Sequence, residues 1–251
     1  MTSNTPLIDR EVEIPTQHGS MNTYVVRPAA AGPYPVVFFY MDAAGRRDEL
    51  SEMARRIARA GYFVVLPNLY YRSVREFHMQ WNEAGIQEML RMMQTLDISM
   101  VVRDTEALVR FVDSEPAALA SAISAVGYCM SGPFAVAAAA RYPERIKAAA
   151  SFHGTHLVTE REDSPHRIAR KVNAELYFGC AENDKWADKE TVATLCAALT
   201  DCAAPSRVEW YPGAQHGFVF PQRPSVYDEA NAERHWDRLL SLLARRLPQA
   251  A

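Results

Sequence analysis

Residues 34–41 (YPVVFFYM) and 62–66 (YFVVL) are continuously apolar and rich in β-branched or aromatic side chains, as in strands buried on both faces of a parallel sheet. Residues 11–14 and 22–27 instead alternate polar and apolar around His18-Gly19-Ser20, which predicts a β-hairpin solvated on one face. Residues 48–60 set Leu50, Met53, Ala54 and Ile57 at helical spacing and stop at Gly61, a residue suited to ending a helix. Two further helices are predicted over 79–95 and 99–114, the second burying Val101, Leu108, Val109 and Val112. Strands at 121–128, 147–152, 174–178 and 207–211 then alternate with an Ala-rich helix reaching Arg141 and a helix over 188–203. The last helix is predicted to begin at Ser225, with Asp228 completing a capping box, and to bury Trp236, Leu239, Leu240, Leu243 and Leu247. Strand–helix alternation of this kind predicts a doubly wound, mostly parallel α/β sheet with helices on both faces, opened by an antiparallel hairpin. No repeat or linker interrupts it, so residues 1–251 are expected to form a single domain.

Composition narrows the partners. With 251 residues, 49% apolar and 23% charged, the chain suffices for one large core. Its first ten residues are polar and no long apolar run follows, so neither a signal peptide nor a membrane span is expected. The net charge of −3 is interspersed, which offers no footprint for nucleic acid or an anionic membrane and leaves a small molecule as the expected partner. The cysteines at 129, 180, 196 and 202 form no C-x-x-C, and neither a disulfide framework nor a metal site is expected. A reduced, cytoplasmic protein, monomeric or a small homo-oligomer, fits these features.

The chemistry concentrates at Val126-Gly127-Tyr128-Cys129-Met130-Ser131-Gly132, where an apolar run ends in small residues and a helical segment follows. Strand, sharp turn and helix in that order push the middle residue of G-x-Nuc-x-G into a strained conformation above the sheet, and here it is Cys129. A thiol at a helix N-terminus is favoured as thiolate, the nucleophilic form. Ser131 stands where the motif has its last glycine and is the rival nucleophile, but Gly127 has the required upstream spacing only to Cys129. After the strand at 174–178 comes Gly179-Cys180-Ala181-Glu182-Asn183-Asp184, and after that at 207–211 comes Pro212-Gly213-Ala214-Gln215-His216. Strand ends are where ligands bind in such sheets, and nucleophile, acid, histidine is the chain order of an α/β-hydrolase triad. His216 is the candidate base and Asp184 the carboxylate that orients it, with Glu182 and Asp188 as competing acids.

From about residue 34 to 247 the chain resembles the dienelactone hydrolases, or carboxymethylenebutenolidases, which are α/β-hydrolases with a cysteine nucleophile. Gly127-Tyr128-Cys129 with Gly132 matches that family's elbow, and Asp184 and His216 match its acid and base. The resemblance implies hydrolysis of small carboxylic esters or lactones through an acyl-enzyme, without cofactor or metal. It also implies that Asp42 takes the place of a glutamate that gates thiolate formation, one methylene shorter, and that the N–H groups of Ala43 and Met130 form the oxyanion hole. Asn68-Leu69-Tyr70-Tyr71-Arg72 resembles a D-L-Y-x-R segment whose arginine holds a substrate carboxylate, a role that falls on Arg72. A second arginine expected four residues after the histidine is replaced by Phe220, with Arg223 nearby but out of register, so a less acidic or larger ester or lactone is as well suited as dienelactone. The alternative reading is a hydrolase fold without turnover that serves as a binding or regulatory module. His153, beside Gly154 at a strand end, reads as structural or pocket-lining, and Met79, Met89, Met92, Met93 and Met100 read as core filling or a pliable lid.

Overall fold

The computed structural model describes residues 5–248. Internal contacts divide the chain into two compact units, the first running to Ile123 and the second spanning Ser124–Leu247.

The first unit opens with β1 (Leu7–Thr16) and β2 (Gly19–Pro28), an antiparallel hairpin with Leu7 opposite Pro28 and Thr16 opposite Gly19. β3 (Tyr34–Tyr40), α1 (Asp48–Arg59) and β4 (Phe63–Pro67) follow, and every residue of β3 and β4 is buried. These strands pair in the order β1-β2-β4-β3, with β3 and β4 parallel and β2 and β4 antiparallel. The hairpin expected to be wet on one face is therefore split. β1 is the exposed edge, whereas β2 is hydrogen-bonded on both sides, packed by α1, and buried from Met21 to Val26. α1 buries Leu50, Met53, Ala54 and Ile57 as its spacing predicts, and ends before Gly61 at φ 99°.

α2 (Glu83–Met93) starts later than the apolar pattern suggests, because Asn82 caps it by accepting from the Gly85 N–H at 2.8 Å. Of the methionine run only Met92 is in the core, so core filling does not account for the other four. α3 (Ile98–Ser114) buries Val101, Leu108, Val109 and Val112.

β5 (Ala118–Tyr128) carries the chain from the first unit into the second. The second unit then alternates α4 (Gly132–Arg141), β6 (Ile146–Phe152), the short α5 (Pro165–Ile168), β7 (Glu175–Asn183), α6 (Lys189–Thr200), β8 (Ser206–Gln215) and α7 (Glu229–Arg246). β6, β7 and β8 are parallel neighbours, with Phe178 beside both Ser151 and Val208. α4 buries everything from Gly132 to Ala139, since alanines let a helix lie close on β6.

α7 begins four residues later than predicted. Ser225 is outside it, and Asp228 is itself the cap, accepting from Asn231 N–H at 3.1 Å. Leu242 is buried where Leu240 was expected. β7 and β8 outrun their predicted ends, which brings the strand termini directly to Asp184 and His216.

Candidate active site

The turn after β5 is built by two glycines. A Cβ on Gly127 would lie 2.0 Å from the Ser131 carbonyl oxygen, so the chain can fold back only with no side chain there. A Cβ on Gly132 would lie 2.2 Å from Ser151 Oγ and 2.9 Å from Gly154 Cα, which explains why the glycine sits one place later than in G-x-Nuc-x-G. Cys129 opens a single 3₁₀ turn with φ 56°, whereas Ser131 has an ordinary φ of −92° and is fully buried. Only His153 (38°) and His156 (53°) share the left-handed region with Cys129 among the described non-glycine residues. Such conformations cost about 1–3 kcal/mol each and persist where surrounding contacts over-determine them. One such contact is the Thr155 N–H, which donates to the Cys129 carbonyl at 3.0 Å.

His216 directly follows β8, and its Nδ1 donates to Asp184 Oδ2 at 2.7 Å. The other carboxylate oxygen accepts the Trp186 N–H at 2.9 Å, so Asp184 is held from two sides with a fully buried side chain. The competing acids are occupied elsewhere: Glu182 accepts the Gly213 N–H at 2.8 Å, and Asp188 caps α6 through Thr191 N–H at 2.8 Å. With Nδ1 on Asp184, Nε2 is the ring nitrogen left for chemistry, and Cys129 is near enough to act on His216. Burial works against a charged imidazole here, but Cys129 and Asp184 outweigh it and raise the His216 pKa to about 10. The arrangement thus favours the imidazolium form of His216 beside Cys129 at neutral pH.

His153 is fully buried with its ring 4.8 Å from that of His216, edge to face. Neither of its ring nitrogens has a hydrogen-bond partner among the described residues. Burial first, then the neighbouring His216, Arg223 and His235, hold its pKa well below the usual histidine range, so it is neutral. Phe220, in place of the expected second arginine, is fully buried with its ring 5.5 Å from that of His153. Cys180 is buried and its thiol pushed up to about 12 by burial, which makes it inert.

Of the remaining sequence candidates, Met130 is buried in the turn after β5, and Asp42, Ala43 and Arg72 lie in the first unit. Asp42 is buried and taken by Arg47, whose Nη1 and Nη2 donate to its two oxygens at 2.6 and 3.2 Å, while Arg47 also binds Glu49 at 2.6 Å. Its carboxylate is a member of a buried ion cluster. Ala43 is buried too, its carbonyl accepting the Tyr70 hydroxyl at 2.9 Å. Arg72 departs from expectation. Its Nη1 and Nη2 donate to Asp104 at 2.8 and 2.7 Å and its guanidinium lies 4.6 Å from the centre of the Tyr71 ring, whose hydroxyl also donates to Asp104 at 2.8 Å. The bidentate contact assigned to a substrate carboxylate is already made inside the protein, by a residue 32 positions away that no local motif announces. Asn68, where the resemblance has aspartate, donates to the carbonyls of Val74 and Arg75 at 3.0 and 2.9 Å and so ties the loop bearing Arg72.

Eight mostly parallel strands alternating with helices, a strained residue at a strand-to-helix turn, and a histidine and carboxylate after the last two strands define an α/β-hydrolase. Residues 21–247 match the "Dienelactone hydrolase family", and the chain belongs to that family. It is a dienelactone hydrolase-like hydrolase. A Synechocystis protein named "Putative carboxymethylenebutenolidase" is 28% identical over 94% of this chain and 96% of that protein. The crystal structure of a "Putative Dienelactone Hydrolase" from Klebsiella pneumoniae superposes with a TM-score of 0.85 at 26% identity, covering 96% of this chain and 99% of the other. That of a dienelactone hydrolase from Anabaena variabilis shares the fold at a TM-score of 0.70 and 17% identity, covering 96% and 99%. Among the described residues no group of acids, histidines and cysteines could hold a metal ion, and no helix is long and apolar enough to cross a membrane.

Proposed function

We propose that this chain, as one α/β-hydrolase domain, hydrolyses small uncharged carboxylic esters or lactones by a Cys129–His216–Asp184 triad through an acyl-enzyme. The observation that carries this reading is the left-handed Cys129 beside a His216 that is itself anchored on Asp184 at 2.7 Å. The Cys129 thiolate attacks the carbonyl carbon, and the negative charge that develops on oxygen is taken by the Met130 N–H and, as the family resemblance implies, that of Ala43. As the carbon–oxygen bond to the leaving group breaks, His216 gives it its proton. Water then attacks the thioester while His216 takes a proton from it, and the thiolate departs with the carboxylic acid formed. Asp184 keeps the imidazole in the Nδ1–H tautomer and stabilises its charged form.

An uncharged substrate is favoured because Arg72 is paired with Asp104 and Phe220 is apolar. A substrate carboxylate would have to displace Asp104, leaving that buried acid unpaired at a cost of about 3–5 kcal/mol. The test is steady-state kinetics on p-nitrophenyl esters and lactones offered as matched neutral and carboxylate-bearing pairs. The neutral member of each pair is expected to have the higher kcat/KM. A clear preference for the anionic member would return the carboxylate-clamp role to Arg72.

A further inference from the structure

The residue preceding Cys129 is held by a contact that spans most of the second unit. Tyr128 is fully buried, and its hydroxyl lies 2.8 Å from Nε2 of His235 on α7, 107 residues away. Nδ1 of His235 is 3.0 Å from the Ala232 carbonyl. A carbonyl can only accept, so Nδ1 carries a proton, and in the neutral ring Nε2 is the acceptor to which Tyr128 donates. The backbone of α7 thereby fixes the tautomer. His235 is fully buried and stands edge-on to Phe152 at 4.4 Å, and Phe152 stacks on Tyr128 at 5.5 Å and 20°. Tyr128 is thus clamped on one face and at its tip. Its ring also lies 5.9 Å from that of His153, which packs against His216 at 4.8 Å.

An apolar pair would fill the same space without desolvating a hydroxyl and an imidazole, so packing alone does not explain two polar groups here. What the hydrogen bond adds is direction. A stacked ring can slide, whereas one whose hydroxyl is bonded to a fixed nitrogen cannot. We infer that Tyr128, pinned by His235, is a positioning residue that holds Cys129 in its left-handed conformation and in register with His216. Neither side chain is assigned to the reacting atoms; both act through the backbone and through the ring of His153.

This inference rests on the reading of Cys129 as nucleophile, so it is tested with and without turnover. In a double-mutant cycle of Tyr128→Phe, His235→Phe and the pair, two readouts are followed at a temperature where circular dichroism shows every variant folded. They are kcat on a p-nitrophenyl ester and the rate of Cys129 alkylation by iodoacetamide. Each single variant is expected to lose about tenfold in both, with KM within about twofold, and the double variant to be no worse than the poorer single. His235→Gln, which can still accept, is expected to recover part of the loss. Alkylation at the parent rate in both singles overturns the inference whatever kcat does. So do losses that multiply to about a hundredfold in the double variant, because independent effects multiply and a shared bond does not. Turnover surviving in Cys129→Ala would instead remove the proposed mechanism and leave the alkylation cycle to decide this one.

Discussion

Cys129→Ala is expected to leave no measurable ester hydrolysis, a loss of about a thousandfold or more in kcat, while the melting temperature stays within about 4 °C of the parent. The change removes one sulfur from a residue that is only partly buried, so little packing is lost with the nucleophile. The left-handed φ of 56° belongs to the backbone and is not relieved by alanine, which keeps the elbow itself intact for comparison. Ser131→Ala is the control. Ser131 is fully buried at φ −92°, so its loss is expected to show in stability and only mildly in kcat. Steady-state kinetics with thermal melting on both variants checks the pair, and the opposite pattern would move the nucleophile to Ser131.

His216→Ala is expected to lose on the order of a thousandfold in kcat, because triad members act as a unit. Its effect on the thiol is more specific. With the His216 pKa raised to about 10, the ring carries its proton at neutral pH beside Cys129. Without the ring that positive charge is lost, and alkylation of Cys129 near pH 7 should slow. In the parent the charge persists up to about pH 10, so the parent should be alkylated faster than the variant at neutral pH. Iodoacetamide kinetics at pH 7 on both proteins reads this directly. A parent no faster than the variant would mean that the imidazolium does not assist the thiol.

How much of this could be read from the residues depended on sequence distance. Gly127 and Cys129 are two apart, and the glycine is forced by contact with the Ser131 carbonyl, so the elbow is legible in seven letters. Asp184 and His216 are legible for another reason. Each directly ends a parallel strand, where the topology gathers side chains, although their 2.7 Å bond joins residues 32 apart. The pairing of Arg72 with Asp104 also spans 32 residues, but Asp104 sits on the buried side of α3 with no strand end or motif to mark it. The family resemblance, with nothing local to oppose it, therefore assigned Arg72 to a substrate carboxylate. The same limit hid the Tyr128–His235 bond, for which the one available sign was a histidine inside the apolar stripe of α7.

Fold errors have similar causes. β2 alternates like a half-solvated strand, yet pairing with β4 and packing of α1 bury it on both faces. Ser225 and Asp228 spell a capping box, and the helix nonetheless begins after Asp228, because Asp228 makes the capping hydrogen bond to Asn231. Hydrophobic pattern fixed the elements; which polar groups meet depended on tertiary approach that no window of the chain contains.

Intact-protein mass spectrometry of the enzyme quenched in acid during turnover of a p-nitrophenyl ester tests the central claim most directly. The mechanism predicts one acyl group per chain, localised by peptide mapping to Cys129, removed by hydroxylamine as a thioester should be, and absent from Cys129→Ala. Hydrolysis that proceeds in Cys129→Ala, or an acyl group mapped to Ser131, would contradict it.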